Sequence, residues 1–174
     1  MTDPTPSRLH GLAPIADART RLLVLGSFPS VASLQAQRYY AHPRNQFWTL
    51  LSALWQEPLT DMPYPERTAA LLRHGLGVWD VYASCQRQGS LDSAIREPVL
   101  NDLAGLVARC PQLQALAHNG GESARHMRLT RGFGLPVLRL PSTSPANASW
   151  SFQRKLAAWR QALASCGLCA AEVV

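Results

Sequence analysis

The chain has 174 residues, of which 47% are hydrophobic, which predicts one globular domain with a buried core rather than a disordered chain. Its net charge is +6 and 16 of its 17 basic residues are arginine, a bias that suits a polyanionic partner but also follows from genome composition. No run of about 18 apolar residues and no apolar signal core is present, so we expect a cytoplasmic protein without a membrane span.

Short apolar strands alternate with amphipathic helices along the chain. The strands are predicted at residues 22–25, 77–81, 114–117 and 136–140, and the helices at 45–55, 65–75, after Asn101, through Met127, and from Phe152 to Leu163. Strands that alternate with helices form parallel sheets covered on both faces. The pattern therefore predicts a three-layer α/β/α sandwich with a four-stranded parallel sheet.

The predicted domain covers residues 19–165. We expect an extended lead-in over residues 1–18 and a C-terminal tail over residues 166–174. Cys166 and Cys169 in this tail have the spacing of metal ligands, but no second CxxC pair accompanies them. We therefore expect no metal, and a frayed tail instead.

Polar segments rich in glycine and proline follow the predicted strands. In open parallel sheets, ligands bind beyond the carboxyl ends of the strands. The segments are GSFPS at 26–30, YASC at 82–85, HNGG at 118–121 and PSTSPAN at 141–147. A further segment, YYAHPRNQFW at 39–48, combines aromatic rings, a cation and an amide, which suit nucleic acid.

Several familiar catalytic motifs are absent. GSFPS is not a GxSxG nucleophile elbow, and no Walker loop, GxGxxG fingerprint or HExxH pair occurs. The usual sequence support for covalent hydrolases, nucleotide hydrolases and dehydrogenases is therefore missing, and we expect no cofactor.

GSFPS, YYAHPRNQFW and PSTSPAN, in this order, resemble motifs of the uracil-DNA glycosylase superfamily over nearly the whole chain. Residues 77–85 and 90–92 resemble the hypoxanthine (deoxyinosine) DNA glycosylase branch in particular. The resemblance implies a monofunctional enzyme of base excision repair that hydrolyses the N-glycosidic bond of deoxyinosine. Its expected substrate is double-stranded or single-stranded damaged DNA, and we expect a monomer.

Two positions depart from the superfamily pattern. Phe28 stands where most members have an Asp or Asn that orients water, and Leu140 stands where many have His or Asn. Asn45 is then the candidate catalytic residue, as the resemblance to the hypoxanthine branch also implies. The alternative is that Asn45 only caps the helix that follows it, and both roles are compatible.

The remaining candidate site residues fall into two groups. Base contacts are expected from Gly26, Ser27, Phe28, Pro29, Tyr40, Asp80 and Asn119, with Tyr40 stacking on the base or, alternatively, serving as a core tyrosine. DNA contacts are expected from Ser30, Arg44, Arg87, Ser142, Thr143, Ser144, Pro145 and Asn147, with residues 145–147 as a minor-groove wedge or, alternatively, a polar turn.

Two other functions stay open at this point. One is a G:U mismatch-specific uracil-DNA glycosylase, because the size of the pocket decides between uracil and hypoxanthine. The other is a catalytically silent nucleic-acid-binding module, because Phe28 and Leu140 replace the usual polar groups.

Overall fold

The computed structural model describes residues 6–172 as two sheets flanked by helices. Numbered along the chain, the strands are β1 (Leu9–His10), β2 (Leu22–Gly26), β3 (Leu76–Asp80), β4 (Tyr82–Gln86), β5 (Arg96–Leu100), β6 (Ala115–Asn119) and β7 (Val137–Leu140). The central sheet is fully parallel, in the order β3-β2-β6-β7. The predicted four-stranded parallel sheet is thus confirmed.

Seven α-helices connect or flank these strands. They are α1 (Val31–Ala36), α2 (Phe47–Trp55), α3 (Tyr64–His74), α4 (Leu103–Ala108), α5 (Gly121–Ala124), α6 (Met127–Arg131) and α7 (Phe152–Ser165). None of the helices formed by residues 6–172 has the length and apolarity that a membrane crossing requires. The short α1 was not predicted, because six residues are too few for helical periodicity to emerge.

Three neighbouring strands end together at one edge of the parallel sheet. All residues of β2, β3 and β6 are buried, as expected for central parallel strands covered on both faces. Gly26 pairs with Asp80, and Leu25 pairs with His118, the residue before Asn119. The register therefore brings the ends of β2, β3 and β6 side by side.

A second, antiparallel sheet of three strands, in the order β1-β4-β5, was not predicted. It includes residues 82–85, which the sequence analysis assigned to a ligand-binding loop and which instead form most of β4. β5 is exposed along its whole length and has no apolar alternation. Its pairing with β4 is therefore set by tertiary contacts rather than by a local pattern.

The segments outside the predicted 19–165 domain pack onto it. In the lead-in, the Leu12 carbonyl accepts a hydrogen bond from the Trp79 indole at 3.1 Å, and Ile15 forms a bridge with Val78. In the tail, Leu168 is buried, and its carbonyl accepts from the Trp55 indole at 2.9 Å. Residues 9–18 and 166–169 are therefore part of the packed structure.

We predict that deletion of residues 1–18 strongly destabilises the protein. The deletion removes β1 and leaves the indole of Trp79 and the hydroxyl of Tyr39 without their main-chain acceptors, Leu12 and Ala13. A buried polar group left unpaired costs about 1–3 kcal/mol. Thermal and urea unfolding of the full chain and the truncated chain measure this loss, and equal midpoints would contradict it.

Candidate active site at the carboxyl edge of the sheet

A cavity of about 630 Å³ opens at the carboxyl ends of β2, β3 and β6. It collects most of the predicted site residues, from five separate parts of the chain. The predicted residues on its wall are Gly26, Ser27, Phe28, Pro29, Ser30, Tyr40, Arg44, Asn45, Asp80, Asn119, Ser142, Thr143, Ser144 and Pro145. Arg87 and Asn147 do not line it.

Gly26 and Asp80 are adjacent at the floor of this cavity. A Cβ atom at position 26 would lie 2.5 Å from Oδ1 of Asp80 and 3.4 Å from the Tyr40 hydroxyl, so only glycine fits there. Asp80 is 5% exposed, and Oδ2 of its carboxyl is buried without a hydrogen-bond partner among the described residues. Burial, helped by the nearby negative charge of Asp92, raises the pKa of Asp80 to about 7.

Tyr40 lies beside this pair in a left-handed backbone conformation, with φ of 54°. Its ring stacks on Phe47 with a centroid distance of 4.0 Å, so one face is covered and only the other can meet a base. Its hydroxyl accepts a hydrogen bond from the Asn119 amide at 3.2 Å, and burial raises the pKa of Tyr40. Tyr40 therefore packs in the core through one face of its ring, and the predicted stacking on a base would use the other face.

Asn119, at the end of β6, connects two walls of the cavity. Besides Tyr40, its Nδ2 donates to the Thr143 hydroxyl at 3.1 Å, and its Oδ1 accepts from the Thr143 main-chain N–H at 3.1 Å. Both ends of the amide are therefore occupied by the protein. Thr143 is fully buried, so its hydroxyl is not presented to a phosphate as predicted.

Asn45 is half-buried on the cavity wall. Its Oδ1 accepts a hydrogen bond from the Phe47 main-chain N–H at 2.9 Å, which satisfies one free donor at the start of α2. Its Nδ2 has no hydrogen-bond partner among residues 6–172, so the amide can contact a ligand while its oxygen accepts from the first residue of α2. The N-cap residue of α2 is Gln46, so Asn45 supports the start of the helix from one position earlier than a cap. Its neighbour Arg44 is exposed, and the Arg44 N–H donates to the His42 ring at 3.1 Å.

The 26–30 loop is fixed by side chains at both of its ends. The Ser27 hydroxyl donates to Asp92 at 2.6 Å. Ser30 caps α1, where its hydroxyl accepts from the Ser33 N–H at 3.1 Å and donates to the Ser33 hydroxyl. Because these interactions use the Ser30 hydroxyl, its predicted DNA contact would have to come from the main chain.

Arg87 lies beneath the 26–30 loop rather than on the DNA-facing surface. It is 6% exposed, donates from Nη2 to the Pro29 carbonyl at 2.6 Å, and its guanidinium lies 5.1 Å from the centre of the Phe28 ring. A guanidinium in this position does not reach a phosphate. The structure therefore replaces the predicted DNA contact of Arg87 with a role in holding the loop.

The 141–147 segment orders itself through local hydrogen bonds. The Ser142 hydroxyl accepts from the Ser144 N–H at 3.1 Å, the Ser144 hydroxyl accepts from the Ala146 N–H at 3.2 Å, and Asn147 Nδ2 donates to the Ser142 carbonyl at 3.1 Å. Pro145 is exposed at the tip of the turn. The loop is therefore a preformed protrusion beside the cavity.

Several residues of this region were not predicted as site residues, although Ser90 and Leu91 lie in the 90–92 segment that carries part of the family resemblance. Leu91, 60% exposed, lies on the cavity rim, and Ser90 accepts from the Val31 N–H at 2.9 Å. A second cavity of about 630 Å³ shares Ser142 and Ser144 with the first and adds Arg139 and Trp150. Neither Arg139 nor Trp150 belongs to a recognisable motif, so only the tertiary structure reveals their proximity.

The comparison with known proteins identifies the family of the chain. The model of the uracil DNA glycosylase superfamily matches residues 13–164, and the chain belongs to this superfamily. Two relatives named hypoxanthine DNA glycosylase are similar to it. The one from Methanosarcina acetivorans is 37% identical over 84% of this chain and 92% of the relative, and the one from Methanosarcina barkeri is 34% identical over 88% and 96%.

The fold also has a counterpart among solved structures. The solution NMR structure of a candidate uracil DNA glycosylase from Methanosarcina acetivorans superposes with a TM-score of 0.78 at 36% identity. The match covers 86% of this chain and 92% of that chain. The three-layer architecture predicted from the sequence is thus confirmed.

We predict that Gly26→Ala disturbs the cavity floor. The added methyl group would lie 2.5 Å from the Asp80 carboxyl, and relieving such overpacking costs about 1–3 kcal/mol of unfolding free energy. Gly121→Ala is a matched control, because its methyl group would meet only the end of the Arg139 side chain, at 3.3 Å. Urea unfolding of both variants measures the difference, and equal stabilities would contradict the prediction.

Proposed function

We propose that this chain is a monofunctional DNA glycosylase that hydrolyses the N-glycosidic bond of deoxyinosine in DNA and releases hypoxanthine. The observation that carries the proposal is the cavity, in which the Tyr40 ring, the free amide nitrogen of Asn45 and the polar floor at Asp80 face one space. A base extruded from the helix needs stacking and hydrogen bonds of this kind. The names of the two Methanosarcina relatives support the same substrate.

The reaction breaks the bond between C1′ and the base, with positive charge developing on the sugar and negative charge on the base. An oxocarbenium-like sugar needs a positioned water but not a strong nucleophile. Phe28 is 7% exposed and has no polar group, so it cannot orient that water. Asn45 is on the cavity wall with a free donor, and we assign the positioning of the water or base to it.

The lysine chemistry of the chain favours hydrolysis over an imine mechanism. Lys155 is its only lysine. It is 3% exposed, and its Nζ donates to the Gln46 side chain at 2.9 Å. It does not line the cavity, so no lysine is available there to form a Schiff base with the sugar.

DNA would approach the cavity through Arg44 and the 141–147 loop. Arg44 is exposed on the cavity wall, and the chain carries a net charge of +6. The hydroxyls of Ser142 and Ser144, which accept hydrogen bonds within the loop but are free to donate, are suited to the phosphates on either side of an extruded nucleotide. Pro145 and its neighbours would enter the groove as a wedge.

The proposal is tested with DNA duplexes that carry a single inosine, a single uracil or no lesion. After incubation with the enzyme and alkali treatment, we expect strand cleavage at inosine, more slowly at uracil and not at the control. Faster release of uracil would favour a mismatch-specific uracil glycosylase. Binding without any cleavage would favour a silent nucleic-acid-binding module.

We predict that Asn45→Ala slows single-turnover excision about 100-fold or more, the scale of one positioned polar group in an active site. The variant removes both the free donor and the acceptor of the Phe47 N–H at the start of α2. Asn45→Asp separates the two, because a carboxylate still accepts from the Phe47 N–H but cannot donate. We expect both variants to be slow, with lesion-duplex affinity changed far less.

Circular dichroism and thermal unfolding serve as the folding controls for these variants. Asn45→Asp should melt like the parent, whereas Asn45→Ala should lose one hydrogen bond to the start of α2, about 1 kcal/mol. Parental excision rates in a folded Asn45→Asp protein would leave Asn45 with only its structural hydrogen bond to Phe47.

A further inference from the structure

The carboxyl of Asp80 is an anomaly of the cavity floor. Asp80 is only 5% exposed, and its Oδ2 is buried without a hydrogen-bond partner in the described part of the chain. Among residues 6–172, its Oδ1 also makes no hydrogen bond, and the carboxyl forms no ion pair. A buried ionised carboxylate without such partners is very costly, whereas an uncharged carboxylic acid is much less so.

The groups around Asp80 favour the uncharged form. From the segment before α2, Tyr39 and Tyr40 approach it, and burial raises the pKa values of both hydroxyls, so neither is ionised. From the short helical turn after β4, Asp92 adds a negative charge. β2 contributes the main chain of Gly26, and β6 contributes the neutral amide of Asn119.

Arg87, which follows β4, is the one cation that acts on Asp80 in this part of the chain. It lowers the pKa of Asp80 less than burial raises it, and the net value is about 7. Its nearest hydrogen bond goes to Pro29 instead of either carboxyl. Asp80 is therefore largely protonated in mildly acidic solution and largely ionised in alkaline solution.

We propose that Asp80 works as an uncharged acid that donates a hydrogen bond to the carbonyl oxygen on the Watson–Crick edge of the extruded base. This inference rests on the proposed glycosylase function and defines a substrate class, namely bases with a ring N–H next to a carbonyl, such as hypoxanthine and uracil. The position of Asp80 at the floor, beside the Tyr40 hydroxyl, is where the far edge of an inserted base would arrive.

The same hydrogen bond would stabilise the leaving group. When the bond between C1′ and the base breaks, its electron pair stays with the base, and part of the negative charge reaches the carbonyl oxygen. The hydroxide part of a water molecule bonds to C1′, the remaining proton of that water ends on the departed base, and Asp80 keeps its own proton. An ionised Asp80 would instead repel the charge that develops on the base.

The test is the pH dependence of single-turnover excision from inosine and uracil duplexes by the parent and by Asp80→Asn. We expect the parental rate to fall above neutral pH, approaching tenfold per pH unit, because the active form loses one proton. An asparagine amide still donates a hydrogen bond but does not titrate. Asp80→Asn should therefore stay within about tenfold of the parent at pH 6 and exceed it at pH 9.

Two further variants sharpen this experiment. Asp92→Asn removes the neighbouring negative charge that helps to raise the pKa of Asp80. The pKa of Asp80 should therefore fall, and the alkaline fall in the excision rate should begin at lower pH. Asp102→Asn makes the same chemical change outside the cavity, at the N-terminus of α4, where asparagine also caps a helix, and should leave the profile unchanged.

Protonation can also be followed without catalysis. A carboxyl whose pKa is raised on folding binds more protons in the folded state between its unfolded pKa and its folded pKa, so stability falls as pH rises through that window. For Asp80 the window runs from 3.8 to about 7. Asp80→Asn should therefore raise the melting temperature relative to the parent at pH 8 and lose this advantage towards pH 4.

Carbon-13 NMR of aspartate-labelled protein, with the Asp80 signal assigned by its loss in Asp80→Asn, measures the same titration directly. An alkaline fall that persists in Asp80→Asn would overturn the inference, as would an inactive Asp80→Asn in a protein whose parental rate rises through pH 7. A parent that excises neither base would refute the proposed function instead, and the NMR and melting data would still report whether Asp80 is uncharged.

Discussion

The site depends on one close approach, between the main chain at Gly26 and the carboxyl of Asp80. Parallel pairing of β2 with β3 puts these two residues opposite each other at the last position of both strands. Any side chain at position 26 would occupy the space that the Asp80 carboxyl and the Tyr40 hydroxyl now fill. The cavity floor therefore exists because a residue without a side chain ends the central strand.

The walls of the cavity are held by side chains that a ligand need not touch. Asn119 joins Tyr40 to the 141–147 loop, and Arg87 holds the 26–30 loop from below. A polar group that is fully hydrogen-bonded inside the protein rigidifies its surroundings and is not available to DNA. This division separates Asn119, whose amide is occupied on both sides by the protein, from Asn45 and Asp80, which have free hydrogen-bonding groups. Arg87 is buried below the loop with one hydrogen bond to Pro29, and its Nε and Nη1 have no partner among the described residues.

Asn45 and Asp80 supply polar groups in a site where Phe28 supplies none. The amide of Asn45 lies on the wall, and its oxygen accepts from the Phe47 N–H at the start of α2, which fixes its orientation. The carboxyl of Asp80 lies at the floor, where burial opposes its ionisation. In the proposed reaction, Asn45 would act near the sugar and Asp80 near the far edge of the base, where the two charges develop when the glycosidic bond breaks.

The sequence by itself determined the parallel sheet, since the apolar runs of β2, β3 and β6 and the helices between them leave few alternatives. It also identified the segments that meet at the cavity, because glycine, proline and small polar residues at strand ends are local features. The antiparallel sheet, the packing of residues 9–18 and 166–169, and the burial of Arg87 and Thr143 were decided only by the tertiary structure. Whether a side chain is free or hydrogen-bonded depends on partners distant in the chain, as with Asn119 and Tyr40, 79 residues apart. No local pattern encodes such a pairing.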